Sequence, residues 1–386
     1  MAYILNGLRS YIGIENSMYR HVSAEELGAK VLDALSDKTG IKKADCIIAG
    51  NGVGAGGNIS RVMSLSSVFG VGTPAFTIDL QCGSALESIA VAAAKIDSGQ
   101  ADIIIAGGFE SSSTAPKRAY NENHPDYEKY GDDWYKVAKF VPDEHRQQAM
   151  LEGAERTAVS EKITREQLNR WVLRSHELAK KARERGVLSD ITVEILEGCN
   201  RDEGIRDRMS EKLLNRLPAV LKEGKIITAG NACLTNDGAA FLVLCSERYL
   251  RENKLKPIGK FVDIAEVGTN PGQSPKSCIA AIEKLLKKND MLPGEIDIYE
   301  CNEAFAVIDE LFARKYPDEI EKYNIFGGAL AYGHPYGASG GIITLHALKA
   351  LEEKSGKYAV CAVAAAGGVG SAILIAVSYT HLRAHE

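Results

Sequence analysis

The chain has 386 residues, 45% of them hydrophobic and 25% charged, which is typical of a globular protein large enough for two domains. A net charge of −5 argues against nucleic acid and anionic membranes as general partners. The sequence has no membrane-length apolar run, no charged-then-apolar leader and no CxxC pair among its eight cysteines, so it predicts a cytoplasmic protein with reduced thiols and no metal site.

Strand and helix patterns alternate through the first part of the chain. In order, these are the strand "AYIL", the helix "SAEELGAKVLDALSDK", the strand "DCIIAG", a helix near residues 61–69, the strand "AFTID", an alanine-rich helix and the strand "ADIIIAGG". Short apolar strands separated by amphipathic helices predict βαβ units around a parallel sheet.

A similar alternation returns after about residue 257. It runs through "GKFVDIAEV", "SCIAAIEKLLKK", "IDIYECNEAF", "GIITLHALKALEEKSG", "YAVCAVAAAGG" and "SAILIAV". Both parts contain a helix rich in Ala or Leu, a Gly, an apolar strand and a Gly-Gly pair, which indicates an internal duplication. The sequence therefore predicts an α/β protein with an N-terminal half at 1–110, a loop domain with the remainder of that half at 111–250, and a C-terminal half at 251–376.

The middle region and the tail differ from the two halves. The polar stretch "KRAYNENHPDYEKYGDDWYK" precedes the long charged helix "TREQLNRWVLRSHELAKKARERG". Such a stretch is too long for an ordinary connection and predicts a lid, a binding loop or an oligomer contact, with a solvated surface excursion as the alternative. The ending "SYTHLRAHE" resembles a translated sequencing adapter, so residues 377–386 are predicted to be non-native, and His381 and His385 are excluded from any site.

A glycine-rich loop offers a dinucleotide-binding alternative. Gly52, Gly54 and Gly57 follow the strand "CIIAG", and Asp79 ends a strand 22 residues after the last of them. This is the spacing of a nicotinamide cofactor fingerprint. The alternative is disfavoured because the unit does not open the chain and because it leaves the cysteine three residues after Asp79 unexplained.

That cysteine, Cys82, lies where the strand "AFTI" gives way to a helix, and Gly83 and Ser84 follow it. A helix N-terminus supplies free N–H groups and positive potential, which lower a thiol's pKa and bind an oxyanion. Cys82 is therefore a candidate nucleophile, although a small buried cysteine is also common at such junctions. Two other segments supply partners: "YECNEAFAV" places Asn302 after a strand, and "GGALAYGHPYGASGG" places His334, a candidate base, in a glycine-rich loop.

The segments "CGSAL", "TAGNACLTNDGAA", "NEAFA", "GGALAYGHPYGASG" and "AAGGVGSAILI" together resemble the thiolase family of acyl-CoA C-acyltransferases. The resemblance implies a five-layered fold in which the helices carrying the site point to the centre. It also implies that Cys82 takes up the acyl group, that His334 activates its thiol, and that Asn302 holds a water in an oxyanion hole. The backbone N–H groups of Cys82 and Ala366 would form a second hole.

The resemblance also implies contacts and partners. Cys233 stands where the family usually has a serine near the pantetheine arm, and Ala232 and Met150 are further candidates for substrate or CoA contacts. The region 110–250 would bind CoA, and Glu303 would orient its loop. No cofactor is expected beyond the CoA thioester substrate, and the protein is expected to be a homodimer or homotetramer acting in fatty acid metabolism.

One position departs from the family pattern. An ungapped alignment of "AAAGGVG" places Ala364 where the family has a second catalytic cysteine, and Cys361 is predicted to lie on the opposite strand face. Losing a general base costs about 10²–10⁴-fold, which puts ordinary Claisen chemistry in doubt. Simple acyl transfer, decarboxylative condensation of a malonyl-type donor, and a non-catalytic acyl-CoA-binding subunit therefore stay open as alternatives.

Overall fold

The computed structural model describes residues 1–142 and 147–377. Of the predicted non-native tail 377–386, all residues after 377, with His381 and His385, lie outside the described residues. Within them, the helices and strands follow the order expected from the sequence. No helix among the described residues is both long and apolar enough to cross a membrane.

The strands are β1 Ala2–Ser10, β2 Gly13–Ile14, β3 Cys46–Gly50, β4 Ala75–Ile78, β5 Ile103–Ser111, β6 Thr192–Val193, β7 Asn236–Ser246, β8 Gly259–Gly268, β9 Ile298–Cys301, β10 Tyr358–Ala365 and β11 Val369–Ala376. The helices are α1 Ala24–Thr39, α2 Ile59–Leu65, α3 Ser84–Asp97, α4 Tyr127–Tyr130, α5 Ala149–Ser160, α6 Arg165–Arg185, α7 Glu211–Leu214, α8 Glu247–Asn253, α9 Lys276–Lys288, α10 Ala306–Lys315, α11 Ala329–Tyr332 and α12 Ser339–Lys354.

The sheet topology shows the duplication directly. In the N-terminal half the strands lie in the order β3-β5-β7-β1, and in the C-terminal half in the order β9-β10-β11-β8. Each set begins with a parallel pair and continues with two antiparallel pairs. The N-terminal set has one more strand, β4, at its edge. The two halves are therefore copies of one βαβ-based unit, while the boundaries at residues 110 and 250 stay predictions.

The two sheets are joined by a short ladder in which β1 pairs with β8 at only two positions. Three apolar clusters fill the space around them. The central cluster packs α3 and α12 between the sheets. A second cluster packs α9 and α10 on the outside of the C-terminal sheet, and a third packs α1 and α2 on the outside of the N-terminal sheet. The order helix, sheet, helix, sheet, helix is the predicted five-layered fold.

The predicted charged helix of the middle region is α6. It begins with a capping box, in which Thr164 Oγ1 accepts from the Gln167 N–H and the Gln167 side chain accepts from the Thr164 N–H. It ends at Gly186, whose φ of 66° is the left-handed conformation that glycine adopts without a Cβ clash. Its buried face carries Leu168, Val172 and Ala179. The helix is therefore fixed at both ends and along one face despite its charge.

Candidate active site

Cys82 lies in a one-turn 3₁₀ segment, Gln81–Gly83, that leads directly into α3. The turn is built by local hydrogen bonds: Asp79 Oδ1 accepts from the Gln81 N–H at 2.9 Å, and Ser84 Oγ donates to the Gln81 carbonyl at 2.6 Å. Gln81 has a φ of 50°, an uncommon conformation for a residue other than glycine. These contacts hold the candidate nucleophile at the first turn of a central helix, as the sequence predicted.

The electrostatics of Cys82 differ from the expectation. The side chain is 7% exposed, and burial raises the pKa of its thiol to about 12, with Glu110 and Asp79 adding to the rise. The prediction that the helix N-terminus lowers this pKa is therefore wrong for the resting enzyme, because desolvation outweighs the N–H groups. Cys82 is a thiol at neutral pH and needs a base to remove its proton.

His334 is 1% exposed and is held by three hydrogen bonds. Its backbone N–H donates to Asn236 Oδ1 at 2.8 Å, its Nε2 lies 3.2 Å from Asn302 Nδ2, and its Nδ1 lies 2.6 Å from Ser339 Oγ. Burial lowers the pKa of His334 to about 3, so the imidazole is neutral at physiological pH. A neutral imidazole is the form that accepts a proton from a thiol.

The hydrogen bonds around His334 also select its tautomer. Ser339 Oγ lies 3.0 Å from the Pro335 carbonyl, to which only a hydroxyl proton can be given. When Ser339 donates there, its oxygen accepts from His334 Nδ1–H. His334 Nε2 is then unprotonated and accepts from the Asn302 amide. Ser339 is therefore a positioning residue that leaves Nε2 with the lone pair needed for proton transfer.

The side-chain amide of Asn302 has a partner at its nitrogen, while its oxygen has none among the described residues. It is 1% exposed, its Nδ2 faces His334, and its buried Oδ1 has no hydrogen-bond partner among the described residues. A buried polar oxygen without a partner is costly and indicates a position that a water or substrate atom fills. This geometry fits the water-holding role that the family resemblance implies.

The loop of His334 and the turn of Cys82 come from opposite halves and meet because glycines allow close approach. A Cβ on Gly337 would lie 2.7 Å from Asn51 Cα, and one on Gly340 would clash with the backbone N of Leu86 in α3. No side chain fits at either position. The start of α12 therefore lies directly against the start of α3, which brings the candidate base to the end of the helix that carries the candidate nucleophile.

Glu110, at the end of β5, ties this meeting point together. Its buried carboxylate accepts from the N–H groups of Gly52, Val53 and Gly337, and from Asn51 Nδ2. Burial raises its pKa to about 7. The N–H groups of the glycine-rich loop are thus directed at an internal carboxylate rather than at a pyrophosphate. This gives the apparent dinucleotide fingerprint a structural explanation.

Three C-terminal positions lie in and after β10. Ala364 is 2% exposed and packs with the outer cluster, whereas Cys361 packs with the central cluster and its Sγ donates to the Ile343 carbonyl at 3.7 Å. The two side chains thus lie on opposite faces, and the Cys361 thiol faces α12. Ala366 begins the turn between β10 and β11 and is partly exposed. Ala364 brings only a methyl group to its position.

The candidate CoA-contacting residues lie in different environments. Cys233 is half-buried, its N–H donates to the Ala304 carbonyl at 2.9 Å, and burial together with Cys82 raises its pKa. Ala232 lines a cavity of about 630 Å³, whereas Met150 is partly buried against the outer cluster near the start of α5. Among the described residues, neither Met150 nor Cys233 lines that cavity. The other lining residues are His176, Gly204, Ile205, Arg206, Asp207, Arg208, Met209, Leu213, Leu214, Leu217, Ala229, Gly230, Leu234 and Leu330.

Glu303 is buried and accepts from Ser175 Oγ at 2.6 Å, Asn324 Nδ2 at 3.0 Å and the Leu330 N–H at 3.2 Å. These bonds connect α6 with two segments that precede the His334 loop. The carboxylate therefore acts as an organiser of backbone, which agrees with the structural interpretation from the sequence. Among the residues the structure describes, no group of three or more His, Cys, Asp or Glu side chains is placed to hold a metal ion.

Sequence reasoning missed Ser339, Asn236 and Glu110. Ser339 had a usable signal, since it stands five residues after His334 in the same loop and at a helix start. Asn236 is 98 residues from His334, and Glu110 is 227 residues from Gly337. Contacts across such separations follow from the fold and carry no local pattern.

Two family profiles match the chain. The profile described as "Thiolase, N-terminal domain" matches residues 2–248, and the profile described as "Thiolase, C-terminal domain" matches residues 255–377. Together they cover both halves and nearly all of the described chain.

Individual proteins agree with the profiles. The chain is 33% identical over 378 residues, covering 97% of this chain and 99% of the other, to the "Putative acetyl-CoA C-acetyltransferase YhfS" of Bacillus subtilis (strain 168). The crystal structure of the Bacillus anthracis acetyl-CoA acetyltransferase superposes with a TM-score of 0.90 at 30% identity, covering 98% of each chain. The structure of human mitochondrial 3-ketoacyl-CoA thiolase gives 0.88 at 29% identity, covering 98% of this chain and 99% of that one.

Proposed function

The chain belongs to the thiolase family, and from this premise we propose that it is an acyltransferase that takes acyl groups from CoA thioesters onto Cys82. The observation that carries the proposal is the hydrogen-bonded series from Asn302 through His334 to Ser339, the first residue of α12, together with the packing of α12 against the turn of Cys82. A neutral histidine whose Nε2 carries no proton, placed near a protonated thiol, is an arrangement suited to nucleophilic catalysis.

The acylation step follows from this arrangement. Cys82 Sγ attacks the thioester carbonyl while its proton passes to His334 Nε2. The oxyanion is stabilised by donors fixed before the reaction, which we assign to the N–H groups of Cys82 and Ala366. The tetrahedral intermediate then expels the CoA thiolate, which takes the proton from His334. The products are acyl-Cys82 and free CoA.

The second half-reaction decides which acyl transfer the enzyme performs. In Claisen condensation a proton must leave the α-carbon of the second acyl-CoA, and in thiolysis a proton must reach the α-carbon of the departing acyl-CoA. Ala364 has no group that can exchange either proton. Decarboxylative condensation of a malonyl thioester generates the carbanion without removing that proton. Simple acyl transfer to another nucleophile also needs no α-proton. These stay the alternative reactions of the same acyl-Cys82 intermediate, and the matching non-catalytic alternative is an acyl-CoA-binding subunit.

The cavity supports a CoA thioester as the substrate. Its volume, about 630 Å³, is in the range of ligand pockets, and Arg206 and Arg208 on its wall suit the phosphates of CoA. The cavity reaches Ala232, which neighbours Cys233 and pairs with Phe305 after the Asn302 strand. It therefore extends from a basic surface towards the reaction centre. No cofactor is needed beyond the substrate.

The edge of the N-terminal sheet supports a homo-oligomer. The outermost strand there is β4, and the segment around it exposes large apolar side chains. They are Val62, Leu65, Val68, Val71 and Phe76. An unpaired edge beside an apolar patch favours association with a second copy. We propose a homodimer or homotetramer, located in the cytoplasm and acting in fatty acid metabolism.

The test is intact-protein mass spectrometry after incubation with acetyl-CoA and longer acyl-CoAs. The wild-type protein is expected to gain the mass of the acyl group, and Cys82→Ser is expected not to. Cys233→Ser is the matched control, because it removes a neighbouring thiol and should still be acylated at Cys82. Acyl mass that persists in Cys82→Ser, or that appears only at Cys361, would contradict the assignment.

A further inference from the structure

Tyr336 is the one partly accessible aromatic side chain of the segment that carries His334. Its ring packs edge-on against the His334 ring, with centroids 4.9 Å apart and an interplanar angle of 88°. Cys82, His334 and Asn302 are buried, whereas Tyr336 is half-buried and packs against the central cluster that contains Cys82. Its ring therefore lies beside His334 and against the cluster that contains Cys82.

The surroundings of the phenol point to the same location. Tyr336 lies near the side chain of Thr235, a residue that pairs with His334 in a short parallel bridge. Negative charge on Cys233 or Cys82 would raise the pKa of the Tyr336 phenol, so both thiols are close enough to interact with it. Burial raises the pKa of Tyr336, so the phenol is protonated at neutral pH. It is a hydroxyl donor in the site, and the acylation steps proposed above leave it unused.

The structure lacks a proton-exchanging group at Ala364 and places a phenol beside the catalytic base instead. We propose that Tyr336 exchanges the proton of the substrate's α-carbon, in place of the thiol that Ala364 lacks. This inference rests on the proposed acyl-Cys82 chemistry and assigns its second proton transfer. Tyrosine is among the side chains that act as general acids and bases, typically for about 10²–10⁴-fold.

The steps balance in the direction of thiolysis. Cys82 Sγ attacks the 3-keto carbon of a 3-ketoacyl-CoA and its proton passes to His334 Nε2. The bond between the 3-carbon and the α-carbon breaks, and its electron pair stays on the α-carbon as the enolate of the departing acyl-CoA. Tyr336 gives its hydroxyl proton to that carbon and becomes a phenolate. The phenolate then takes the proton held by His334, whose ring packs edge-on against the ring of Tyr336.

Cys233 is the competing donor, since its thiol also lies near Cys82. It is placed less well for returning the proton, because its N–H is bonded to the Ala304 carbonyl and no hydrogen bond among the described residues joins it to His334. Tyr336 contacts the ring that must give the proton back. The two candidates are separated by single substitutions that leave Cys82 and His334 in place.

The experiment compares Tyr336→Phe with wild type in two assays: acyl loading of Cys82 from acetyl-CoA, and thiolysis of acetoacetyl-CoA with free CoA. The variant keeps the ring contact with His334 and loses only the hydroxyl. A general acid typically contributes about 10²–10⁴-fold. We expect the rate of thiolysis to fall at least about tenfold, and the rate of acyl loading to change less than about twofold. Tyr332→Phe is the matched control, since it deletes a hydroxyl that donates to the Phe326 carbonyl at 2.9 Å.

A double substitution excludes a merely structural role. In the Ala364→Cys background a thiol takes over the proton transfer, so adding Tyr336→Phe should then cost much less than it does in the wild type. Unchanged thiolysis in Tyr336→Phe, an equal loss in the Ala364→Cys background, or a loss seen only in Cys233→Ser would overturn the inference. Wild-type protein that loads acyl groups and shows no thiolysis would overturn it as well. Failure of wild-type loading itself would instead overturn the proposed function.

Discussion

Replacing Ser339 by alanine tests whether the hydrogen-bonded series around His334 sets the reactive tautomer. The substitution removes the acceptor 2.6 Å from His334 Nδ1 and leaves a buried N–H without its partner. The Pro335 carbonyl loses one donor but keeps the N–H groups of Ala338 and Ser339, at 2.9 Å and 3.0 Å. The cost therefore falls on the imidazole rather than on the helix start.

The magnitude follows from the burial of the pair. Ser339 and His334 are 2% and 1% exposed, so water does not replace the lost acceptor. Leaving a buried donor unsatisfied costs about 1–3 kcal/mol. If that cost is borne by the Nδ1–H tautomer, which is the reactive one, acylation of Cys82 slows by about 5- to 150-fold, since about 1.36 kcal/mol is tenfold in rate.

The assay is single-turnover acylation, quenched at intervals and followed by intact mass. Ser88→Ala is the matched control, because Ser88 Oγ also donates to a carbonyl four residues earlier, at 2.8 Å, and does not belong to the His334 series. We expect the control to acylate at the wild-type rate. Wild-type acylation by a folded Ser339→Ala protein would refute the tautomer argument.

Three further predictions concern Ala364, Glu110 and the glycine-rich loop. Ala364→Cys should raise the rate of acetoacetyl-CoA thiolysis at least about tenfold, because a thiol with a pKa of about 8.5 can exchange protons with the α-carbon. Acyl loading should stay unchanged. An unchanged rate of thiolysis would count against the argument from the missing thiol. Burial raises the pKa of Glu110 from 4.5 to about 7, so the folded state keeps a proton that the unfolded chain releases, and stability falls as pH rises through that window by at most about 3 kcal/mol. The free energy of unfolding, measured with urea at pH 5 and pH 8, should fall between these pH values for the wild type and much less for Glu110→Gln. An equal fall in both proteins would contradict the assignment. Calorimetric titration with NAD or NADP should give no binding, because the N–H groups of Gly52 and Val53 already donate to Glu110; micromolar binding would revive the dinucleotide alternative.

The fold was largely predictable because its information is local and repeated. Alternating apolar strands and amphipathic helices predicted the βαβ units, and the similar order of elements in both parts predicted the duplication that the two strand orders show. Cys82 and His334 were found in the same way, since a strand-to-helix junction and a glycine-rich loop are both visible in a few adjacent residues.

The remaining parts of the site depend on packing that adjacent residues do not encode. The pKa of Cys82 rises because the protein surrounds it, and the sequence shows the helix start but not the depth of burial. Glu110 resembles any acidic strand residue until the loop of Gly337 is folded onto it. Tyr336 looks like an aromatic core residue in the sequence, and only its edge-on contact with His334 places it in the site.

The matching strand orders have a consequence for how a single site arose in a chain built from two similar units. Two identical units related by a twofold axis would present the same residues twice, so every group placed at one helix start would recur at the other. Joining the units in one polypeptide removes that constraint. The first copy holds its thiol at the start of α3, the second holds its imidazole just before α12, and neither has to carry the other's group. The pseudo-symmetry of the sheets is preserved, while the chemistry at their shared centre is asymmetric.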